Sequence, residues 1–402
     1  MRILMVTEVF YPVIGGAGKF VYTTAANLAK RGHRVSVLTR MTKGAASQEN
    51  IDGIEVYRIA WPNNFLIQLF SVFNINRFIK RFLIKNPLDL IVFNQPFSAF
   101  CAYSIKSLRD TPNIYHFHSS WFEEFQVKHY IQEIKLNSLL NILRLIIFSP
   151  VSFIMRCIEG FVISRCDKII AASEYSREKL VKFYNINDNK IMIIPGCVDT
   201  DRFKPVEDKA GLRDNLGIPK ESYVLITARN LVERMGIDNL IFAFYNLSCL
   251  YKDLYLVIAG EGRLKNKLIS LVKELDIGDL VKFTGRLNES ELVQYYQASD
   301  LFILPTKYIE HFGLVTIEAF ATGMPVLGTP VGGTVEILNK FNKEFLFQGT
   351  DFKSITQGII RFLDKYRNID LKNSCREFAI KEYSLNKIID QTEKFYLSLV
   401  KG

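Results

Sequence analysis

Short apolar runs alternate along this chain with longer stretches whose apolar residues recur at helical spacing. This pattern predicts strands that alternate with helices, as in α/β folds with parallel sheets. The strands predicted in the first half are Arg2 to Val6, Arg34 to Thr39, Gly53 to Ile59, Leu88 to Phe93, Asn113 to Phe117, Asp167 to Ser173 and Lys190 to Ile194. The strands predicted in the second half are Tyr223 to Ala228, Leu254 to Ala259, Leu280 to Thr284, Leu301 to Leu304, Val326 to Leu327 and Phe345 to Phe347.

The most informative stretch of the chain runs from Leu301 to Glu336. A buried strand is predicted to end at Leu304, before a proline, and a helix is predicted from Gly313 to Ala321. In parallel α/β sheets, ligands bind beyond the carboxyl ends of the strands. The loop that contains Glu310 is therefore expected to lie where a ligand binds.

The residue types in this loop indicate the chemistry of that ligand. Gly313 allows the backbone to come close to it, and the first amides of the helix, near Leu314 and Val315, have no intrahelical acceptor and can bind a phosphate. Glu310 and Glu318 would repel an anion, so we interpret them as acceptors for neutral hydroxyl groups. A phosphate flanked by hydroxyl-bearing rings is typical of a nucleotide sugar. The alternative is that each glutamate is a solvated surface residue.

This segment resembles the donor-site signature of retaining glycosyltransferase family 4, which has the GT-B fold. Seven residues separate its two glutamates, as in that family. The residues that carry the resemblance are Glu310, Phe312, Gly313, Leu314, Glu318, Gly323, Pro325, Val326, Gly332, Gly333 and Glu336. The resemblance implies two Rossmann-like domains that face each other across a donor and acceptor cleft. It assigns residues 1–208 to an acceptor domain, residues 209–384 to a nucleotide-sugar domain, and residues 385–402 to a helix that packs back on the first domain.

Length, cysteines and the first residues agree with two domains in a reducing compartment. The 402 residues, 49% of them hydrophobic, suffice for two α/β domains of about 200 residues each. The six cysteines form no CxxC pair, and Met1 is followed directly by a predicted strand, so we expect a cytoplasmic protein. No metal-ligand spacing and no DxD-type dyad in a cleft loop is found, so no metal or other cofactor is expected.

A glycine run, Gly15-Gly16-Ala17-Gly18, stands between the first predicted strand and a helix predicted from Phe20 to Lys30. It fits neither the dinucleotide fingerprint GxGxxG nor a P-loop, so an NAD-dependent oxidoreductase is disfavoured. A tight turn that needs glycine is one interpretation. The resemblance implies another, in which Gly16 and Gly18 line the donor phosphates and the acceptor.

Two histidines, His116 and His118, fall on the same side of an extended segment. One of them can be a hydrogen-bonded structural histidine, and His116 suits that role because it lies inside the predicted strand. His118 lies at the carboxyl end of the strand, where the cleft is expected. The resemblance places a histidine at this position close to the transferred sugar, which makes His118 the catalytic candidate.

Two arginines, Arg229 and Arg234, follow a predicted strand of the second domain. Guanidinium groups bind phosphate oxygens bidentately, so the pair can clamp a diphosphate; the alternative is that both are surface residues. The resemblance assigns the phosphate-binding role to Arg229, and Arg234 is the nearest equivalent of a second cation that is usually lysine. It also places the nucleobase near Arg286 and Leu287, where contacts are made by the backbone.

The net charge of +10 is concentrated in the first half, where 26 Lys and Arg face 18 Asp and Glu. Two apolar segments with basic residues, 65–85 and 134–165, are interpreted either as surfaces that touch an anionic membrane or as ordinary helices that cover a sheet. The longest uncharged run in the second segment, Leu145 to Met155, is too short to span a bilayer, which needs about 20 residues. No nucleic-acid-binding motif is found, so no nucleic-acid partner is expected.

Taken with the resemblance, these features predict a retaining glycosyltransferase that needs no metal. The predicted donor is a nucleoside diphosphate hexose, with UDP favoured over GDP, and the predicted acceptor is a hydroxyl group of a glycan or lipid-linked precursor on the cytoplasmic membrane face. The alternatives are a catalytically silent subunit that binds nucleotide sugars and a GT-B nucleotide-sugar epimerase. No protein nucleophile is evident, so the resemblance implies front-side transfer, in which the departing diphosphate helps to remove the acceptor proton.

Overall fold

The computed structural model of the protein describes residues 1–12, 16–60, 65–103, 105, 111–127 and 139–400; for residues 65–71 and 139–148 it describes the backbone alone. The chain forms two compact units. The first consists of Met1–Pro195 together with Ile388–Gly402, and the second of Gly196–Lys387. The predicted domain boundary at residue 208 lies further along the chain than the boundary between these units.

The first unit contains an eight-stranded sheet with the order β3-β4-β2-β1-β5-β6-β7-β8. Neighbouring strands are parallel, except that β3 pairs with β4 in an antiparallel hairpin. The strand order reverses between β1 and β5, which makes the carboxyl ends of these two strands a favoured place for a ligand. The strands are β1 (Arg2–Val6), β2 (Arg34–Arg40), β3 (Gln48–Ile51), β4 (Ile54–Ile59), β5 (Leu90–Phe93), β6 (Asn113–Phe117), β7 (Lys168–Ala171) and β8 (Ile191–Ile193).

Helices cover this sheet because its central strands are apolar on both faces; all four residues of β5, for example, are buried. Ser173 accepts a hydrogen bond from the amide of Ser176 and caps the helix that follows. The helices are α1 (Gly16–Lys30), α2 (Phe65–Lys85), α3 (Pro96–Tyr103), α4 (Trp121–Gln126), α5 (Leu139–Arg165) and α6 (Glu174–Tyr184).

The second unit contains a five-stranded parallel sheet with the order β11-β10-β9-β12-β13. Its strand order reverses between β9 and β12, which pair directly. Every residue of the predicted strand Leu301–Leu304 is buried, as expected for a central parallel strand. The strands are β9 (Tyr223–Ala228), β10 (Leu254–Ala259), β11 (Val281–Gly285), β12 (Leu301–Leu304) and β13 (Val326–Gly328).

Some helices of the second unit begin at capping side chains. Asn288 and Glu291 form a capping box, and Asp351 accepts two backbone N–H bonds at the start of a later helix. The helices are α7 (Lys209–Leu216), α8 (Ile237–Leu250), α9 (Lys265–Glu274), α10 (Glu289–Ala298), α11 (Leu314–Ala321), α12 (Gly333–Asn342), α13 (Phe352–Tyr366) and α14 (Lys372–Tyr383).

The last helix, α15 (Leu385–Val400), belongs to the first unit from Ile388 onward. Its Glu393 accepts a hydrogen bond from Arg31 at 2.6 Å, and its other carboxylate oxygen lies 2.6 Å from Nε2 of His33. Both partners lie just after α1. The chain therefore returns to the unit in which it began.

The α/β class and the parallel sheets are confirmed, whereas two local predictions are wrong. The strand predicted at Phe345 to Phe347 is a 3-10 turn over Lys343–Phe345 followed by one bridge from Leu346 to Gly328. Both phenylalanines are buried, so their apolar character reflects packing and not a strand. Helix α1 begins at Gly16 and not at Phe20.

The two apolar basic segments are largely helical. Helix α2 covers the predicted segment 65–85, and α5 continues through Pro150, which does not end the helix. Residues 134–138 of the second segment lie outside the described residues, as does Gly15 of the glycine run. Among the helices that the structure describes, none combines the length and the apolar character required to span a bilayer.

Candidate functional site

Two predicted site residues meet where the strand order of the second sheet reverses. Arg229 follows β9 directly, and Glu310 lies in the loop after β12. The guanidinium Nη2 of Arg229 donates a hydrogen bond to Oε2 of Glu310, and the two side chains are only 8% and 11% exposed. The hydroxyl of Thr306 also donates to this oxygen, at 3.3 Å. The two opposite charges therefore compensate each other at the carboxyl edge of the sheet, where both side chains are largely shielded from solvent.

The two predicted arginines contact different groups in this structure. The sulfur of Met235, and not Arg234, lies beside the Arg229 guanidinium, 3.2 Å from Nε and 2.8 Å from Nη2. Nη1 of Arg234 donates instead to the carbonyl of Ile309 at 2.7 Å. In this conformation the Nε and Nη2 edge of Arg229 is occupied, so it offers no bidentate fork to a phosphate. Arg234 thus contacts the loop that carries Glu310.

Helix α11 begins at the predicted place beside this pair. Gly313 adopts φ +96°, a left-handed conformation that favours glycine, and α11 follows it at Leu314. The side chains of Phe312 and Leu314 pack on the backbone of Gly196, where an added Cβ would lie 2.8 and 2.5 Å from them. Both side chains are thus used for packing. A ligand would meet the backbone amides of Leu314 and the half-buried Val315 instead.

A second helix starts against the same loop. The amide of Gly333, the first residue of α12, donates to the carbonyl of Glu310 at 2.8 Å. A Cβ on Gly332, which has φ +59°, would lie 1.9 Å from that carbonyl oxygen. The starts of α11 and α12 therefore both adjoin Glu310, and their N–H dipoles make this region favourable for negative charge.

Two buried hydroxyl groups lie between these helix starts. Oγ1 of Thr316 and Oγ1 of Thr334 are each 3.2 Å from a Cβ built on Gly313. In the described part of the chain neither has a hydrogen-bond partner. Sequence reasoning missed both threonines, and also Thr306 and Met235, because a single threonine or methionine carries no specific signal of a binding site.

Glu318 lies within α11 and is not a solvated surface residue, since it is only 6% exposed. The hydroxyl of Tyr296 lies 3.5 Å from its Oε2. Burial, with the nearby Glu318 carboxylate as the second cause, holds the pKa of Tyr296 well above its usual range. Tyr296 therefore remains a neutral donor toward Glu318.

The predicted base-binding residues lie apart from this cluster within the second sheet. Arg286 and Leu287 follow the edge strand β11, which β10 separates from β9. Arg286 is exposed and Leu287 is half-buried. Both residues lie at the same carboxyl edge of the sheet as Arg229, with the end of β10 between them and Arg229.

His118 lies at the carboxyl end of β6 in the first unit. Its Nε2 is 3.0 Å from Oδ1 of Asn94, the residue that follows β5. Burial lowers the pKa of His118 to about 4, so the ring is neutral near pH 7. Sequence reasoning missed Asn94, whose only signal was its place after a buried strand.

His116 does not form the hydrogen bonds expected of a structural histidine. It is 2% exposed, and neither ring nitrogen has a hydrogen-bond partner within the described residues. Its ring instead stacks on His118, at 4.5 Å between centroids, and contacts the Phe20 ring at 4.5 Å with an angle of 46° between planes. Burial, together with the neighbouring His118, lowers its pKa well below the usual value. His116 is therefore a packing residue that keeps the His118 ring in place.

The two predicted glycines lie in the first turn of α1. Gly16 is exposed, and an added Cβ there would meet no atom within 4 Å. At Gly18 an added Cβ would lie 3.1 Å from the carbonyl oxygen of Val9. Packing against Val9 thus accounts for glycine at position 18. The space around Gly16 is open, so packing does not account for glycine there.

The two halves of the chain match two adjacent family models. Residues 14–202 match the model described as Glycosyltransferase Family 4, and residues 208–382 match the model described as Glycosyl transferases group 1. The chain belongs to the group 1 glycosyltransferases of the GT-B type. The predicted resemblance and the GT-B fold class are thereby confirmed.

Similar proteins support the assignment to these glycosyltransferases over the full length. The chain is 25% identical to an uncharacterized glycosyltransferase of Methanocaldococcus jannaschii, over 98% of each chain. It is 24% identical to a phosphatidylinositol N-acetylglucosaminyltransferase subunit of Arabidopsis thaliana, over 84% of this chain and 69% of that protein. The fold is similar to sucrose-phosphate synthase from Thermosynechococcus elongatus, with a TM-score of 0.80 and 21% identity over 99% of this chain and 98% of that one.

A cavity of about 250 Å³ in this glycosyltransferase lies elsewhere in the second unit. Tyr223, Asp300 and Pro325, which line it, stand at the amino ends of β9, β12 and β13. Ligands of parallel α/β sheets bind at the opposite, carboxyl ends. The position of Arg229 and Glu310 therefore identifies the candidate site better than the size of this cavity does.

Proposed function

We propose that this glycosyltransferase transfers a hexose, with retention, from a nucleoside diphosphate sugar to a hydroxyl acceptor. UDP is the first choice of nucleotide and GDP the second. The observation that carries the proposal is the buried pair of Arg229 and Glu310 beside the starts of α11 and α12. This place combines a cation and two helix N-termini, which suit a diphosphate, with a carboxylate, which suits a sugar hydroxyl.

The catalytic work in this proposal is electrostatic. Negative charge develops on the departing diphosphate, and Arg229, Arg234 and the helix start at Gly313 stabilise it. For Arg229 to reach the phosphate, its bond to Glu310 must be exchanged for bonds to phosphate oxygens. Glu310 is then released to bind a hydroxyl of the transferred sugar. Donor binding itself would therefore free both side chains for contacts with the donor.

The remaining predicted residues bind the neutral parts of the donor. Glu318 would accept hydrogen bonds from the ribose hydroxyls, and the backbone near Arg286 and Leu287 would contact the base. In the first unit, His118 would orient the transferred sugar, while Gly16 and Gly18 would leave room for the donor phosphates or the acceptor. Since Phe312 and Leu314 are used for packing, their contribution would come from the backbone.

We propose that transfer needs no metal ion, because Arg229 and the helix starts can provide the positive charge that a metal would otherwise supply. Among the described residues, no group of His, Cys, Asp and Glu could hold a metal ion. Full activity in excess chelator is expected. Activity that depends on added Mg²⁺ or Mn²⁺ would contradict this part of the proposal.

We further propose a lipid-linked acceptor at an anionic membrane face, with the protein in the cytoplasm. Phe73 and Ile84 are 70% and 84% exposed on α2. Apart from Asn74, the exposed residues between and beside them are basic: Arg77, Lys80, Arg81 and Lys85. An apolar surface with a cationic edge is typical of an interfacial helix. The Arabidopsis relative, whose name specifies phosphatidylinositol, agrees with a lipid acceptor.

The donor proposal is tested by binding and turnover of UDP-, GDP- and ADP-sugars, with wild-type protein and Glu318→Ala. Saturable binding and slow nucleotide release, both lost in the variant, are expected. Product analysis then distinguishes hydrolysis or transfer from epimerisation, in which nucleotide leaves without sugar transfer. If no nucleotide sugar binds, the proposal is wrong.

The membrane proposal is tested by flotation with anionic and neutral liposomes. Binding to anionic liposomes at low salt is expected to fall when Arg77, Lys80, Arg81 and Lys85 are all replaced by glutamine, because each basic group contributes about 1 kcal/mol near such a surface. A matched control replaces Lys340, Lys353 and Lys365 of the second unit by glutamine, together with Lys273. Equal loss in both variants, or no binding by the wild type, would contradict the proposal.

A further inference from the structure

The hydrogen bond between His118 and Asn94 determines where the histidine carries its proton. Asn94 offers two different groups, an Oδ1 acceptor and an Nδ2 donor. Nδ2 lies 3.4 Å from the carbonyl oxygen of Val6, and the backbone amide of Asn94 donates to the same oxygen at 3.0 Å. With the side chain turned over, two oxygen acceptors would face each other. The orientation with Oδ1 toward His118 is therefore the favourable one.

An acceptor at Oδ1 requires a donor on the histidine. Oδ1 lies 3.0 Å from Nε2, so Nε2 must carry hydrogen. In a neutral imidazole the other nitrogen, Nδ1, is then a bare acceptor. The carbonyl of Val6, at the end of β1, thus fixes the orientation of the Asn94 amide. The amide in turn determines which nitrogen of His118 carries hydrogen.

The ring is also fixed in orientation. His116 stacks on the His118 ring at 4.5 Å with an angle of 21° between planes, and Phe20 contacts it edge-on at 5.5 Å. Neither of these neighbours carries a charge that would favour an imidazolium, and Asn94 is neutral. The imidazole is therefore held between aromatic rings, with one nitrogen bound and the other directed away from Asn94.

We infer that Asn94 is a positioning residue that holds His118 in the neutral Nε2–H tautomer, so that His118 meets its substrate with a bare Nδ1, as the acceptor of a hydrogen bond from a hydroxyl group. A bare nitrogen repels phosphate oxygens and attracts hydroxyl hydrogens. His118 therefore recognises the sugar part of a substrate and not its phosphates. The substrate contact rests on the proposed function, whereas the tautomer does not.

The tautomer is measured on the full chain, labelled with ¹⁵N at histidine, by long-range proton–nitrogen NMR at neutral pH. The chain has five histidines, and the His118 signals are identified by their loss in His118→Gln. In the wild type we expect a protonated Nε2 and a bare Nδ1. A protonated Nδ1, in either the other tautomer or an imidazolium, would overturn the inference whatever the activity.

Substitutions at Asn94 test its part in this arrangement. Asn94→Leu has a similar shape and no acceptor, so the His118 signals are expected to shift toward a mixture of tautomers. In Asn94→Asp the carboxylate can only accept, so Nε2 is expected to stay protonated. Gln95→Leu is the matched control, because the side-chain oxygen of Gln95 is bound to the backbone amide of Glu8 and not to His118. An unchanged tautomer in folded Asn94→Leu would refute the positioning role.

Sugar transfer separates this inference from the proposed function. Asn94→Leu is expected to lower kcat/KM for transfer on the order of tenfold, the cost of an imperfectly matched hydrogen bond. His118→Gln is expected to lower it at least as much. If the tautomer behaves as inferred but His118→Gln transfers sugar normally, the positioning role of Asn94 is supported and the assignment of His118 to the substrate is overturned.

Discussion

Arg229 and Glu310 are each other's counter-charge in a place that is almost closed to water. The residues are 81 positions apart in the chain, and the strand order brings them together at adjacent strand ends. Sulfur and hydroxyl groups from Met235 and Thr306 complete the contacts of the guanidinium. The pair therefore couples the stability of the second unit to the site where the donor is proposed to bind.

Removal of one partner of this pair is expected to destabilise the second unit. Arg229→Met and Glu310→Gln each leave a buried group without its counter-charge, at a cost of about 3 kcal/mol of unfolding free energy. The double variant is expected to lose less than the sum of the two. Circular dichroism in denaturant measures this. The matched control is the more exposed pair Arg263 and Glu233, for which the same substitutions should cost under about 1 kcal/mol.

A nucleoside diphosphate should replace the missing negative charge in Glu310→Gln, whereas it cannot replace the missing cation in Arg229→Met. In Glu310→Gln the Arg229 guanidinium is unpaired, and a diphosphate supplies a new counter-charge, so UDP should raise the melting temperature more than it does in the wild type. In Arg229→Met the effect of UDP should be small, and transfer should fall on the order of a hundred- to a thousandfold. Equal stabilisation of all three proteins by UDP would show that Arg229 does not meet the diphosphate.

The loop that carries Glu310 is expected to tolerate no side chain at Gly332. A Cβ there would lie 1.9 Å from the Glu310 carbonyl oxygen, in a backbone conformation with φ +59° that alanine rarely adopts. Gly332→Ala should therefore displace Glu310 and abolish donor binding. Calorimetry with a nucleotide sugar measures this. Gly278→Ala is the control, since an added Cβ there meets nothing within 4 Å, and its binding should match the wild type.

The sequence predicted the site at the level of strand ends but not of side-chain contacts. The buried run Leu301–Leu304 and the helix start at Gly313 correctly place Glu310 beyond a strand, because apolar periodicity reports local structure. The contact between Arg229 and Glu310 depends on β9 lying beside β12, and periodicity carries no information on strand order. For the same reason, Asn94 could not be paired in advance with His118, which is 24 residues away.

The packing of His116 leads to an uncommon expectation, that a core substitution stabilises the protein. Both ring nitrogens of His116 are buried without a hydrogen bond in the described structure, and phenylalanine has a similar shape without polar atoms. His116→Phe should raise the unfolding free energy by about 1 kcal/mol or more at neutral pH. His118→Phe, by contrast, should lose transfer activity. Thermal melts and transfer assays of both variants measure this, and a clearly less stable His116→Phe would mean that His116 has an essential polar partner.

The buried carboxyl group of Glu159 should make the stability of the first unit depend on pH. Glu159 is fully buried and accepts hydrogen bonds from the hydroxyl of Tyr184 at 2.5 Å and from the amide of Trp121 at 3.2 Å. Burial raises its pKa to about 8, and the two hydrogen bonds oppose this only in part. The folded protein thus keeps a proton that the unfolded chain has already released.

The sign of this dependence follows from proton binding. The stabilisation is complete below pH 4.5, the ordinary pKa of the group, and is lost as the pH rises toward 8, with a slope of at most about 1.4 kcal/mol per pH unit. Burial also raises the pKa of Glu8, in the same unit, to about 7, which gives a dependence of the same sign. Glu159→Gln keeps the shape and cannot ionise, so it should remove the part of the slope that Glu159 causes and leave the part that Glu8 causes. Denaturant unfolding followed by tryptophan fluorescence reports on the first unit, because both tryptophans, Trp61 and Trp121, lie in its part of the chain. A slope that is unchanged in the variant would show that another group causes it.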